Sequence, residues 1–159
     1  MSDLDAVQQV IGEFGKSIGI DDLALDAEGY CCLAIDHDLI VNIELDATDG
    51  QLVLYSVVGQ PGPDRAAVLE TLMQANYLGQ GTRGAILGLQ PGTGAVVLSR
   101  ALPADRLDLP AFNGALERFV NTAEDWMRRL AGPAAAADPA AEAAAPAAPD
   151  FPIPPGLRA

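Results

Sequence analysis

Four features of this sequence could carry chemistry. Gly79-Gln-Gly81-Thr-Arg-Gly84 spells G-x-G-x-x-G. His37 is the only histidine, set between Asp36 and Asp38. Cys31 and Cys32 are adjacent, and carboxylates are spread along the chain. A dinucleotide fingerprint must follow a strand and open a helix, so that the helix N-terminus faces pyrophosphate. Here the apolar spacing predicts a helix before the loop and a strand after it, with no βαβ unit around it. A helix end at Gly79 followed by a flexible turn accounts for the glycines. Cys31 and Cys32 should point to opposite faces of one strand, so they cannot clamp a metal together. One histidine offers too few neutral ligands beside them, and a Cys–His nucleophile pair lacks an orienting motif. Asp3, Asp5, Asp21, Asp22, Asp26, Asp36, Asp38, Asp46 and Asp49 fall at helix starts and turns, where a local hydrogen bond explains them. Asp46-Ala-Thr-Asp-Gly50 lacks the ligand spacing and closing Glu of a calcium loop. The sequence therefore predicts no catalytic residue, no metal and no cofactor.

The elements around these residues follow from periodicity. Ser2 and Asp3 can cap a helix to about Ser17, with Leu4, Val7, Val10, Ile11, Phe14 and Ile18 on one face. Tyr30–Ile35, Leu39–Asp46 and Gln51–Val58 read as strands, joined by Asp36-His37-Asp38 and by the Asp49-Gly50 turn. Asp64 begins a second helix, with Ala67, Val68, Leu72, Ala75 and Leu78 at helical spacing. Ala85–Leu89 and Ala95–Arg100 are two further strands, and a last helix covers about Leu109–Leu130. The order α-β-β-β-α-β-β-α with hairpin-length loops predicts an α+β fold with a twisted antiparallel sheet packed by helices.

Composition bounds the rest. The chain has 159 residues, 22 acidic and 9 basic, for a net charge of −13. That charge argues against nucleic acid and anionic membranes as partners. No apolar run is long enough to span a bilayer, and the acidic start MSDLDAV is unlike a signal peptide. Adjacent cysteines make no disulfide framework, and a reducing cytoplasm is the simpler setting. The composition changes at Gly132: residues 132–159 hold 12 Ala and 7 Pro, and the sequence predicts a disordered tail after a 1–131 domain. The domain keeps 19 acids and 8 bases, hence −11 of the charge. Several strands carry apolar residues on both faces: Cys32 and Leu33, Leu39 and Ile40, Val53 and Leu54, Val57 and Val58. Three helices cannot easily cover both sides of five strands, so apolar surface is left for a partner.

Element order and several segments resemble the class I type III secretion chaperones, the Tir chaperone family. The segments are Gly-Tyr-Cys-Cys-Leu-Ala-Ile-Asp36, Ile-Val-Asn-Ile-Glu-Leu-Asp46, Leu69-Glu-Thr-Leu-Met-Gln-Ala-Asn76, Gly84-Ala-Ile-Leu-Gly-Leu89, Val96-Val-Leu98 and the closing helix with Phe119 and Trp126. The Ala/Pro tail departs from the pattern. The resemblance implies a bacterial cytoplasmic homodimer without enzymatic activity. It would bind the N-terminal segment of a secreted effector, keep it secretion-competent, and engage the secretion ATPase as a further partner. Effector contacts map to Val7, Val10, Ile11, Phe14, Leu33, Ile35, Ile43 and Leu54. Dimer contacts map to Leu69, Leu72, Met73, Ala75, Asn76, Ala85 and Leu87. Two alternatives remain at this point: a regulator of the same fold that sequesters a regulatory protein, and, less favoured, a small-molecule or nucleotide-binding enzyme.

Overall fold

A computed structural model of the chain describes residues 3–36 and 38–132, apart from the side chain of Asp3. The expected Ser2 cap, the His37 turn and the Ala/Pro tail lie outside the described residues. The elements are α1 (Asp3–Ser17), β1 (Tyr30–Ile35), β2 (Leu39–Asp46), β3 (Gln51–Gly59), α2 (Arg65–Asn76), β4 (Ile86–Leu89), β5 (Val96–Pro103) and α3 (Leu109–Ala131), with short 3-10 turns at Tyr77–Gly79 and Ala104–Arg106. This is the predicted α+β order. The strands form one antiparallel sheet in the order β1-β2-β3-β5-β4.

Side-chain alternation divides the sheet. Cys31, Leu33, Leu39, Val41, Ile43, Leu45, Leu52, Leu54, Leu98 and Leu87 face one way and are buried. Two amphipathic helices pack on that face. α1 contributes Val7, Val10, Ile11 and Phe14 to the core, while Leu4 and Ile18, at its ends, stay exposed. α3 contributes Phe112, Ala115, Leu116, Phe119, Ala123 and Trp126. Leu109, Val120, Met127 and Leu130 at the margins of this face are only partly buried, and Trp126 sits inside. Phe14 and Phe112 meet edge to face, ring centroids 5.1 Å apart at 74°, and join the two helices.

The helix starts follow the sequence. Asp64 and Asp108 each cap a helix, accepting from the N–H groups of Ala67 and Ala111. The end of α2 departs from expectation. The helix stops at Asn76, and Leu78 takes a positive φ of 52° inside a 3-10 turn rather than continuing the helical face. The cause is tertiary: the Asn76 side chain is committed to the main chain of β4.

Phe112→Ala removes a fully buried ring and its Phe14 partner contact. It is expected to cost about 3–5 kcal/mol, read as a lowered denaturation midpoint in a urea titration followed by circular dichroism.

Candidate protein-binding surface

The opposite face of the sheet carries no helix. Cys32, Ala34 and Ile40 are exposed on it, and Val53, Val57 and Val97 are half-buried. In each of the four apolar pairs one member turns to the core (Leu33, Leu39, Leu54, Val58) and the other to this open face (Cys32, Ile40, Val53, Val57). A cavity of about 350 Å³ lies on it, floored by Val53, Tyr55, Val97 and Ala101, with Ile86 at one side and Glu44 at the other.

A polar network stiffens the floor. Tyr30 Oη donates to Asn42 Oδ1 at 2.8 Å, Asn42 Nδ2 donates to the Tyr55 carbonyl at 3.2 Å, and Tyr55 Oη donates to Glu44 Oε2 at 3.3 Å. Burial, followed by the Glu44 charge, pushes the Tyr55 phenol above its usual range. Tyr30 is pushed up to about 12, again mainly by burial, with Cys32 adding to it. Both phenols therefore stay protonated and keep donating across the physiological range.

An apolar ridge continues from this face. Met73, Tyr77, Leu78 and Ile86 are 72%, 69%, 76% and 60% exposed. These large side chains lie on α2, on the 3-10 turn after it and on β4. Asn76 places them: its Oδ1 accepts from the Leu87 N–H at 2.9 Å and its Nδ2 donates to the Leu87 carbonyl at 2.8 Å. Both hydrogen-bonding groups that Leu87 turns away from β5 are thus taken by one side-chain amide. Two residues earlier Thr82 does the same for Ala85: its carbonyl accepts from the Ala85 N–H at 3.1 Å, and its Oγ1 donates to the Ala85 carbonyl at 2.6 Å.

The glycine-rich loop serves this arrangement. A Cβ on Gly81 would lie 2.8 Å from Ala75, so only glycine lets the loop sit against α2. Trp126 Nε1 donates to the Gly81 carbonyl at 3.2 Å, tying the loop to α3. The loop follows a helix and precedes a strand, as its context predicted, and it braces β4.

The other sheet edge is open. Asp26 takes both outward groups of Tyr30, accepting its N–H on Oδ1 and donating its own N–H to the Tyr30 carbonyl. Antiparallel alternation then turns the N–H and C=O of Cys32 and Ala34 outward as well. No hydrogen bond to these groups is found among the described residues.

The residues mapped from the resemblance are placed as follows. Val7, Val10, Ile11, Phe14, Leu33, Ile43 and Leu54 are buried in the core, and Ile35 is half-buried at the end of β1. They belong to one core cluster with the inner sheet face and α3, and are therefore already covered within the chain. Of the second set, Leu72, Ala75, Ala85 and Leu87 are buried, Leu69 and Asn76 are half-buried, and Met73 is exposed. Sequence reasoning passed over Tyr77, Leu78 and Ile86. Ile86 was within reach: alternation along β4 puts it opposite Leu87. Tyr77 and Leu78 were masked by the expectation that α2 continued.

Cys31 and Cys32 do point to opposite faces, Cys31 buried and Cys32 exposed. Among the described residues no group of three or more His, Cys, Asp or Glu side chains could hold a metal, and no helix is long and apolar enough to cross a membrane.

Residues 9–127 match the model of the Tir chaperone protein (CesT) family. The chain belongs to that family. A protein of Chlamydia pneumoniae is 32% identical over 127 residues, covering 78% of this chain and 95% of its own. Among solved structures, a chain of the ExsC–ExsE complex superposes with a TM-score of 0.74 at 28% identity, covering 82% of this chain and 97% of that one. A chain of the HopA1–SchA chaperone–effector complex superposes with a TM-score of 0.63 at 22% identity, over 79% and 92% of the two chains.

Two measurements test the local chemistry. Asn76→Ala leaves the two outward groups of Leu87 without a protein partner and is expected to cost about 1–3 kcal/mol, read by urea titration. Burial, then the neighbouring Cys32 and Asp26 charges, pushes the Cys31 thiol up to about 12 from 9.0. A folded-state pKa above the unfolded one gives stability that is complete below about pH 8.5 and is lost as pH rises toward 12. Cys32 should therefore react alone with a thiol reagent at neutral pH, and the midpoint of unfolding should fall steadily above pH 9.

Proposed function

We propose that this family member is a cytoplasmic, non-enzymatic chaperone that holds an extended N-terminal segment of a type III secreted effector and keeps it competent for export. The observation that carries the reading is the pair of unsatisfied surfaces: a one-sided sheet with an open β1 edge, and an apolar ridge beside β4. An extended segment can add a strand at Cys32 and Ala34 and gain main-chain hydrogen bonds there. β4 offers no such place at Ala85 and Leu87, because Thr82 and Asn76 already occupy its outward groups. The apolar contacts of the segment would come from α1 and the adjoining strands. Val7, Val10, Ile11, Phe14, Leu33, Ile35, Ile43 and Leu54 support that region from within, and the exposed Leu4, Ile18 and Ile20 lie at the ends of α1 or just beyond it.

The ridge fits a second copy of the chain. Met73, Tyr77, Leu78 and Ile86 are large apolar side chains left in water, and Ile86 also lines the cavity of the open face. In the proposed homodimer these exposed side chains make the contacts, while Leu69, Leu72, Ala75, Asn76, Ala85 and Leu87 hold α2 and β4 in place behind them. Support for effector binding comes from family membership and from the HopA1–SchA structure, which is a chaperone–effector complex. The secretion ATPase remains a proposed further partner. The net charge of −13 favours basic partner segments and solubility.

Ala34→Pro tests the strand-addition edge. Proline removes an N–H that faces outward, so the fold should persist, as edge strands tolerate proline at such positions. Calorimetric titration with the N-terminal segment of an effector from the same organism should show affinity reduced at least tenfold, with unchanged circular dichroism. Equal affinity would place the segment elsewhere. Tyr77→Asp should convert a dimer to a monomer in sedimentation equilibrium. Recovery of a regulatory protein alone in a pull-down would favour the sequestering reading instead.

A further inference from the structure

An arginine cluster adjoins the open face, whose cavity Arg100 also lines. The folded domain has eight basic residues, and five of them gather where the Gly79–Gly84 loop meets α3: Arg83, Arg100, Arg118, Arg128 and Arg129. Arg118, Asn121, Asp125 and Arg128 form one exposed stripe of α3 at 3-4-3 spacing. Arg83 faces them from the loop, where it sits with a φ of 52°. Arg83 Nη2 pairs with Asp125 Oδ2 at 2.8 Å, and its Nη1 donates to Thr122 Oγ1 at 3.3 Å. Arg128 pairs with the other oxygen of Asp125. Arg100 Nη1 donates to the Arg83 carbonyl at 3.1 Å. Arg129 lies 5.0 Å from the Trp126 ring.

One carboxylate is therefore shared by two guanidiniums, and Arg118 has no ion pair among the described residues. Together with Glu124 these groups line a cavity of about 350 Å³ holding three arginines and two carboxylates. Asp125 lies below the usual carboxylate range: burial opposes the shift, and the hydrogen bonds and charges of Arg83 and Arg128 outweigh it. In a domain of net charge −11 this is a locally positive spot.

The chain continues beyond the described fold from a point close by. α3 ends one turn after Arg128, and Gly132 takes a positive φ of 68° that breaks the helical line. Residues 133–159 carry Asp138, Glu142 and Asp150 against one base, Arg158. Six extended residues from Gly132 to Asp138 reach at most about 20 Å, enough to return past Arg128. Arg118 and Arg128 are about 15 Å apart along the helix, and Asp138 and Glu142 can be separated by about 13 Å. A short tether gives an effective concentration on the order of millimolar, so a contact with an intrinsic Kd of about 1 mM is half-populated.

We propose that the groove between the Gly79–Gly84 loop and α3 is a docking site for the chain's own residues 133–159, through Asp138 and Glu142 against Arg118, Arg128 and Arg83. The contact is exposed and ionic, hence salt-sensitive.

The test uses the full chain and the side-chain Nε–Hε signals of its arginines in nitrogen-15 NMR. In the variant Asp138→Asn/Glu142→Gln, the Arg118 and Arg128 signals should move by more than a linewidth. Addition of about 0.5 M NaCl to the unsubstituted chain should reproduce the direction of that movement. Reciprocally, Arg118→Gln, which breaks no ion pair within the described fold, should move the backbone amides of residues 136–144. Arginine signals that respond to neither change would overturn the proposal. So would signals that respond only to a hexaglutamate peptide added in solution, which would assign the groove to an acidic segment of another protein.

Discussion

Side-chain alternation on five antiparallel strands, with helices enough for only one face, is the constraint on which the rest of the molecule depends. Leu33, Leu39, Leu54 and Val58 turn to the core under α1 and α3, and that choice forces Cys32, Ile40, Val53 and Val57 to the opposite side. A one-residue slip would exchange the two sets. The open face is thus the necessary complement of the core. Its apolar content is what a monomer has little reason to keep and an assembling protein does.

The two sheet edges are treated differently, and the difference is functional. Beside and within β4 the outward main-chain groups of Ala85 and Leu87 are satisfied locally, Leu87 by the Asn76 amide and Ala85 by Thr82. Satisfying them blunts an edge that would otherwise recruit strands without selection. It also pins α2, so that Met73, Tyr77 and Leu78 are presented as a ridge. At β1 only Tyr30 is closed off, by Asp26, and the groups of Cys32 and Ala34 remain available.

The glycine-rich loop shows how a motif acquires meaning from its surroundings. Its letters match a phosphate-binding fingerprint, yet Gly81 is needed because Ala75 lies where a Cβ would go. The Gly81 carbonyl receives the Trp126 indole N–H, and Arg83 reaches across to Thr122 and Asp125. The same short segment therefore joins α2, β4 and α3, and its arginine opens onto the basic cluster on α3.

Period and turn chemistry are properties of neighbouring residues, and for that reason the sequence alone determined the α+β class, the order of eight elements, the helix start at Asp64, and the opposite facing of Cys31 and Cys32. Family segments such as Leu69–Asn76 were legible in the same way. Which apolar residues are core and which are surface was not, since Val10 and Met73 are equally hydrophobic and differ only in what lies over them. The residues mapped to effector contact came out buried for that reason. The setting of the end of α2 was likewise decided at a distance: Asn76 keeps helical backbone angles while its side chain bonds to Leu87, eleven residues on. Only tertiary structure could close one sheet edge, leave the other open and gather Arg83, Arg100, Arg118 and Arg128. Each of those outcomes depends on hydrogen bonds or charges between residues far apart in the chain, which local spacing does not encode.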